Sequence, residues 1–237
     1  MNDAAPQRDI TLLDQITTHW SNIADPARFV LRYAPAIRAY LLSIQRRAGD
    51  SEDVAQDFLT RILTRGFSEN QVTRGRFRDY LRAAIRNAAI DNLRKKRLAT
   101  VSPDVLADVS ADEDDWVGPW RSCLLDKALQ QLETLERESP GNLYYTAIRL
   151  TIDHPQETSA ALADRAGRHV DRPLTAAAFR QQLTRARRRL AELLFEEVRQ
   201  TLRNPSPGDV VDELHEIGLF PYVEGYLADV IDEAARG

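Results

Sequence analysis

Asp50-Ser51-Glu52-Asp53-Val54-Ala55-Gln56-Asp57-Phe58-Leu59-Thr60-Arg61-Ile62-Leu63 and Arg76-Phe77-Arg78-Asp79-Tyr80-Leu81-Arg82-Ala83-Ala84-Ile85-Arg86-Asn87-Ala88-Ala89-Ile90-Asp91-Asn92-Leu93-Arg94-Lys95-Lys96-Arg97 are the two segments on which the reading of this chain turns. The first is acidic and the second basic, and both space their apolar residues at helical period. In the first, Val54, Phe58 and Ile62 form the apolar stripe. Asp50 can cap this helix, and Glu52 and Asp53 fall in its first turn, where the helix dipole favours carboxylates. Asp57 lies beyond that explanation, and its i, i+4 spacing from Asp53 costs about 0.2–0.5 kcal/mol. A helix that carries this cost can present a docking face to a basic partner; the plainer alternative is a solvated surface.

In the basic segment the buried stripe is expected at Phe77, Tyr80, Leu81, Ala84, Ile85 and Ala88. Arg78, Arg82 and Arg86 recur every four residues and drift by only about 80° in total. Three arginines so spaced can follow one phosphate backbone, and Arg94-Lys95-Lys96-Arg97 extends the patch. A polar connector from Gly66 to Gly75, bracketed by glycines, joins the two helices.

Upstream, residues 1–9 are expected to be disordered. Apolar positions then recur at helical spacing from Ile10 to Ile44, with Asp25-Pro26 starting a helix that Pro35 should kink. Downstream, Leu98 to Trp120 is acidic, contains proline and lacks a period, so it reads as a linker, with Trp116 and Trp120 anchoring whatever follows. Helical patterns resume at Arg121. A short helix capped at Thr158 and ended by Gly167 precedes a turn with Pro173 and a long helix that Thr175 can cap. The exposed face of that long helix carries Arg180, Gln181, Thr184, Arg185, Arg187 and Arg188. Arg and Gln suit base edges, Thr and further Arg suit phosphates, and the arrangement reads as a helix-turn-helix or as an ordinary helical hairpin.

The bulk properties exclude several classes. The 237 residues, 43% hydrophobic and 29% charged, suffice for one or two small soluble domains. No apolar run reaches the roughly 20 residues that span a bilayer, and the start lacks the pattern of a secretory signal. The one cysteine, Cys123, cannot form an internal disulfide, and the four histidines have no metal-ligand spacing, so a cytoplasmic protein without metal or cofactor is expected. No nucleophile–base pair or glycine-rich phosphate loop stands out, so a non-enzymatic role is expected. The net charge of −4 hides a partition. Residues 74–97 carry nine Lys/Arg against Asp79 and Asp91, a balance of +7, and residues 165–189 reach +7 again. Residues 205–237 stand at −7. Two basic runs on separate helices are the footprint of a polyanion-binding protein.

With these residues in view, the chain resembles bacterial RNA polymerase sigma factors of the small, two-domain extracytoplasmic-function (ECF) type, most closely a planctomycete-like branch. The resemblance rests on the acidic helix, on Phe77-Arg78-Asp79-Tyr80-Leu81 through Ala88-Ala89-Ile90-Asp91-Asn92-Leu93-Arg94, and on Phe179-Arg180-Gln181-Gln182-Leu183-Thr184-Arg185-Ala186-Arg187-Arg188-Arg189-Leu190. It implies an all-α fold of two small helical domains. A region 2-like domain would cover residues 10–98, an acidic linker 99–120, a region 4-like helix-turn-helix domain 121–203 and an acidic C-terminal extension 204–237. It also implies core-polymerase docking by Asp50, Glu52, Asp53, Gln56 and Asp57. Asn70, Gln71, Arg74, Arg76, Arg78, Arg82, Arg86 and Asn87 would contact the minus-ten element. The helix from Thr175, with Arg180, Gln181, Thr184, Arg185, Arg187 and Arg188, would contact the minus-thirty-five element. The implied partners are core RNA polymerase and promoter DNA, with an anti-sigma factor or a regulatory kinase as candidate controllers. Two features depart from typical members: a longer turn between Gly167 and Phe179, and the tail after Pro205. A DNA-binding regulator that never meets polymerase is the alternative function, and a helical adaptor without DNA affinity is a further one.

Overall fold

A computed structural model describes residues 26–44, 51–65, 76–97, 113–139, 141–202 and 205–234. The chain divides into two compact units, Met1–Cys123 with Gln200–Asn204, and Leu124–Arg199 with Pro205–Gly237. Every regular element among the described residues is helical.

The first unit holds α1 (Pro26–Ile44), α2 (Ser51–Arg65), α3 (Phe77–Arg97) and the start of α4 (Glu113–Glu138). Helix α1 begins at Pro26, where a fixed φ and a missing N–H cost nothing. Pro35 lies inside α1 without ending it and faces solvent. Helix α2 buries Val54, Ala55, Phe58, Leu59 and Ile62 and packs along α1. Helix α3 buries Phe77, Leu81, Ile85, Ala88 and Ala89 completely or nearly so, while Tyr80 and Ala84 of the expected stripe are half-buried.

The centre of this unit is aromatic. Tyr33 stacks on Trp120 with ring centroids 5.0 Å apart and planes 9° from parallel. Phe29 meets Phe77 edge-on at 5.8 Å, Tyr40 meets Trp116 at 5.1 Å, and the two tryptophans lie 5.5 Å apart. Such pairs add about 0.5–1.5 kcal/mol each beyond the area they bury. The expected linker therefore differs from the structure at its end. From Glu113 the chain is already helix α4, and Trp116 and Trp120, expected to anchor the second domain, fill the core of the first. Two large apolar rings four residues apart lie on one helical face, and the apolar surface offered by Tyr33, Tyr40 and Phe77 is where they are buried. Cys123, reduced and buried, donates its thiol to the Arg32 carbonyl oxygen.

The second unit contains the rest of α4, then α5 (Tyr144–Asp153), α6 (Ser159–His169), α7 (Ala176–Arg199), α8 (Pro207–Glu216), α9 (Phe220–Val223), a 3₁₀ turn (Glu224–Tyr226) and α10 (Leu227–Ala234). Ala147, Leu162, Ala163, Ala166 and Phe179 form the core between α5, α6 and α7. Thr158 caps α6 by accepting from the Ala161 N–H, and Thr175 caps α7 by accepting from the Ala178 N–H. Gly167, expected to end α6, lies two residues before its end. Its role is close approach: a Cβ there would come within 2.8 Å of the Arg172 carbonyl oxygen and 3.3 Å of the Leu174 nitrogen. Asp171 takes a φ of 50° in the same turn, a conformation that short polar side chains tolerate. Ser206 and Asp209 close α8 with a capping box.

Candidate nucleic-acid and protein interface

On α2 the buried stripe leaves an exposed arc. Asp53 and Gln56 point away from the core, and Glu52 and Asp57 lie at opposite margins of the arc. Glu52 is drawn toward α1 by Arg38, 3.2 Å away, with both side chains largely exposed, so the pair contributes little stability. Asp57 turns toward α3 and lines an open groove of about 530 Å³. Arg61 and Arg65 of α2, and Asp91, Arg94 and Lys95 of α3, line the same groove. The acidic helix is thus acidic only in its first half. Arg61 and Arg65 follow Asp57 at i+4 and i+8, a spacing legible in the sequence but masked there by the acidic first turn. Asp50 lies outside the described residues.

On α3 the arginines do not share one surface. Arg78 is 4% exposed and its carbonyl accepts from the Trp116 indole N–H, whereas Arg82 is half-buried and Arg86 is exposed. The cause is the step of four residues, which turns each successive arginine about 40° further from the buried stripe. Arg78, nearest the stripe, enters the core, so the expected track along α3 begins at Arg82. Both Arg82 and Arg86 lie close enough to the Tyr40 hydroxyl to oppose, electrostatically, the burial that pushes its pKa up. Asn87 is exposed, and Arg76, half-buried, starts α3 by offering its carbonyl to the Asp79 and Tyr80 N–H groups. Asn70, Gln71 and Arg74 lie outside the described residues.

In the second unit α6, the turn Val170–Thr175 and α7 present Arg180, Gln181, Thr184, Arg185, Arg187 and Arg188 to solvent, and Thr175 is exposed as well. Thr184 donates its hydroxyl to the Arg180 carbonyl oxygen in its own helix. Gln182, between them, turns inward and donates to the Gly141 carbonyl oxygen. Arg188 is held by Glu192 at 3.3 Å and by Asp229 of α10 at 3.5 Å. On α6, Arg165 makes a two-pronged contact with Glu157, 2.6 and 2.7 Å, and that hydrogen bonding holds the Glu157 carboxyl below its ordinary range. Among the described residues no three His, Cys, Asp or Glu side chains converge as a metal site, and no helix is long and apolar enough to cross a membrane.

Residues 29–99 match the family model described as Sigma-70 region 2. No curated protein and no solved structure matches the chain. The matched span takes in α1, with its aromatic core residues, the acidic-to-basic helix α2 and the whole of α3. Over residues 29–99 the first unit is therefore similar to Sigma-70 region 2, a domain that as a family binds core RNA polymerase and promoter DNA.

Proposed function

We propose that the chain is an RNA polymerase sigma factor of the ECF type that directs promoter-specific initiation. In this reading the exposed arc of α2, centred on Asp53 and Gln56 and flanked by Glu52 and Asp57, docks on core polymerase. The connector with Asn70, Gln71 and Arg74, together with Arg76, Arg82, Arg86 and Asn87, takes the unpaired non-template strand of the minus-ten element. Capturing splayed bases offsets the few kcal/mol needed to unpair them. The second unit acts as a region 4-like helix-turn-helix, with α7 in the major groove of the minus-thirty-five element. An anti-sigma factor or a regulatory kinase controls the protein.

The observation that carries the reading is the Sigma-70 region 2 match over the span that holds both the acidic arc of α2 and the cationic face of α3. The capped α6–turn–α7 arrangement, with its arginines outward, supports the second half. The test is co-purification with core RNA polymerase, comparing the intact chain with an Asp53→Arg/Asp57→Arg variant of unchanged helix content. Binding by the intact chain and its loss in the variant is the expected result. Binding by neither, with duplex DNA bound by both, transfers the chain to the class of DNA-binding regulators.

A further inference from the structure

Helix α7 changes its surroundings halfway along. From Phe179 to Leu190 one stripe is buried and the opposite face, with Arg180, Thr184 and Arg188, is open. One turn further the same line of the helix continues through Ala191, Phe195 and Val198, and all three are buried. Helices α8, α9 and α10 of the C-terminal extension pack against α7. The extension brings Val210, Leu214, Val223 and Val230 into burial. It also extends to the open half of α7, because Asp229 of α10 lies 3.5 Å from Arg188.

We propose that this extension is a built-in competitor for the DNA phosphates that α7 would meet. The inference rests on the reading of α7 as a DNA-facing helix and adds a regulator to it. Two physical effects act together. Asp229 occupies the side of Arg188 that a phosphate oxygen would take, while Glu192 holds the other, so DNA has to displace a carboxylate to gain this contact. The extension also places a segment of net charge −7 next to a segment of net charge +7. Part of that charge lies within the roughly 8 Å over which charges act at physiological salt. Simple apolar packing against α7 needs neither the acid at position 229 nor this charge.

The test uses the full chain and a duplex of random sequence, with affinity measured across a salt series. Asp229→Asn leaves the apolar contacts of the extension in place. It should bind roughly two- to five-fold more tightly than the intact chain, with a salt dependence steeper by about one released counterion. Truncation before Pro205 should raise affinity further, but it also removes the helices that pack against α7, so the point variant decides. Arg180→Ala/Arg185→Ala is measured alongside, and weakened binding there supports α7 as the DNA face. Unchanged affinity in Asp229→Asn together with weakened binding in that pair overturns the competitor role and leaves the extension as a cover. No change in either variant removes α7 from the DNA surface, and the proposal falls with it.

Discussion

The indole N–H of Trp116 donates to the backbone carbonyl oxygen of Arg78 at 3.2 Å, with both residues almost wholly inaccessible to solvent. This bond ties the first turns of α4 to the first turn of α3. It makes a residue from the expected linker part of the first unit's core.

Replacing Trp116 by Phe keeps most of the ring and removes the donor. The buried carbonyl then keeps only its bond within α3, a loss of about 0.5–1.5 kcal/mol. Trp120→Ala removes the ring stacked on Tyr33 and should cost roughly 3–5 kcal/mol. Denaturant unfolding followed by tryptophan fluorescence and by circular dichroism measures both. Losses below half a kcal/mol in each would show that α4 does not belong to this core.

Arg78 and Arg86 should separate cleanly by assay. Arg86→Ala, on an exposed face, should leave stability within about 0.5 kcal/mol and flatten the salt dependence of DNA binding by about one counterion. Arg78→Ala removes a buried side chain, so it should lower the unfolding free energy by at least about 1 kcal/mol. Equal stability of the two variants would contradict the burial of Arg78.

Gly167 admits no side chain without movement of backbone. Gly167→Ala should lower stability by roughly 1–3 kcal/mol even though alanine is the better helix former. The control is Gly141→Ala, where a Cβ meets nothing within 4 Å. Thermal unfolding of the two variants side by side tests this, and a stabilised Gly167→Ala would show that the α6–α7 turn yields.

The Glu157–Arg165 pair makes a pH-dependent contribution of known sign. Hydrogen bonding to Arg165 lowers the folded-state pKa of Glu157 below its ordinary 4.5. The contribution is therefore complete above that ordinary value and is lost as pH falls through the lowered one. The stability difference between the natural protein and Glu157→Gln should be present at pH 7 and shrink in acid through that window. A difference independent of pH would mean that the carboxylate charge plays no part.

Much of the secondary structure was legible in the chain, because apolar period and capping chemistry are local. Val54, Phe58 and Ile62 on α2, Thr175 before α7, and Pro26 at the start of α1 all follow from spacing of a few residues. The candidate surfaces were legible in part. Exposure of Asp53, Gln56, Arg86, Arg180 and Arg185 follows from the same period. The sequence by itself determined which segments become helices and which faces carry charge. Only the tertiary structure decided what those faces meet: that Arg78 turns inward, that Trp116 and Trp120 fill the first core, that Gly167 clears a carbonyl, and that Asp229 reaches Arg188. Each of these depends on residues far apart in the chain or on the rotation of a helix about its axis. Helical period constrains those relationships only to within a quarter turn.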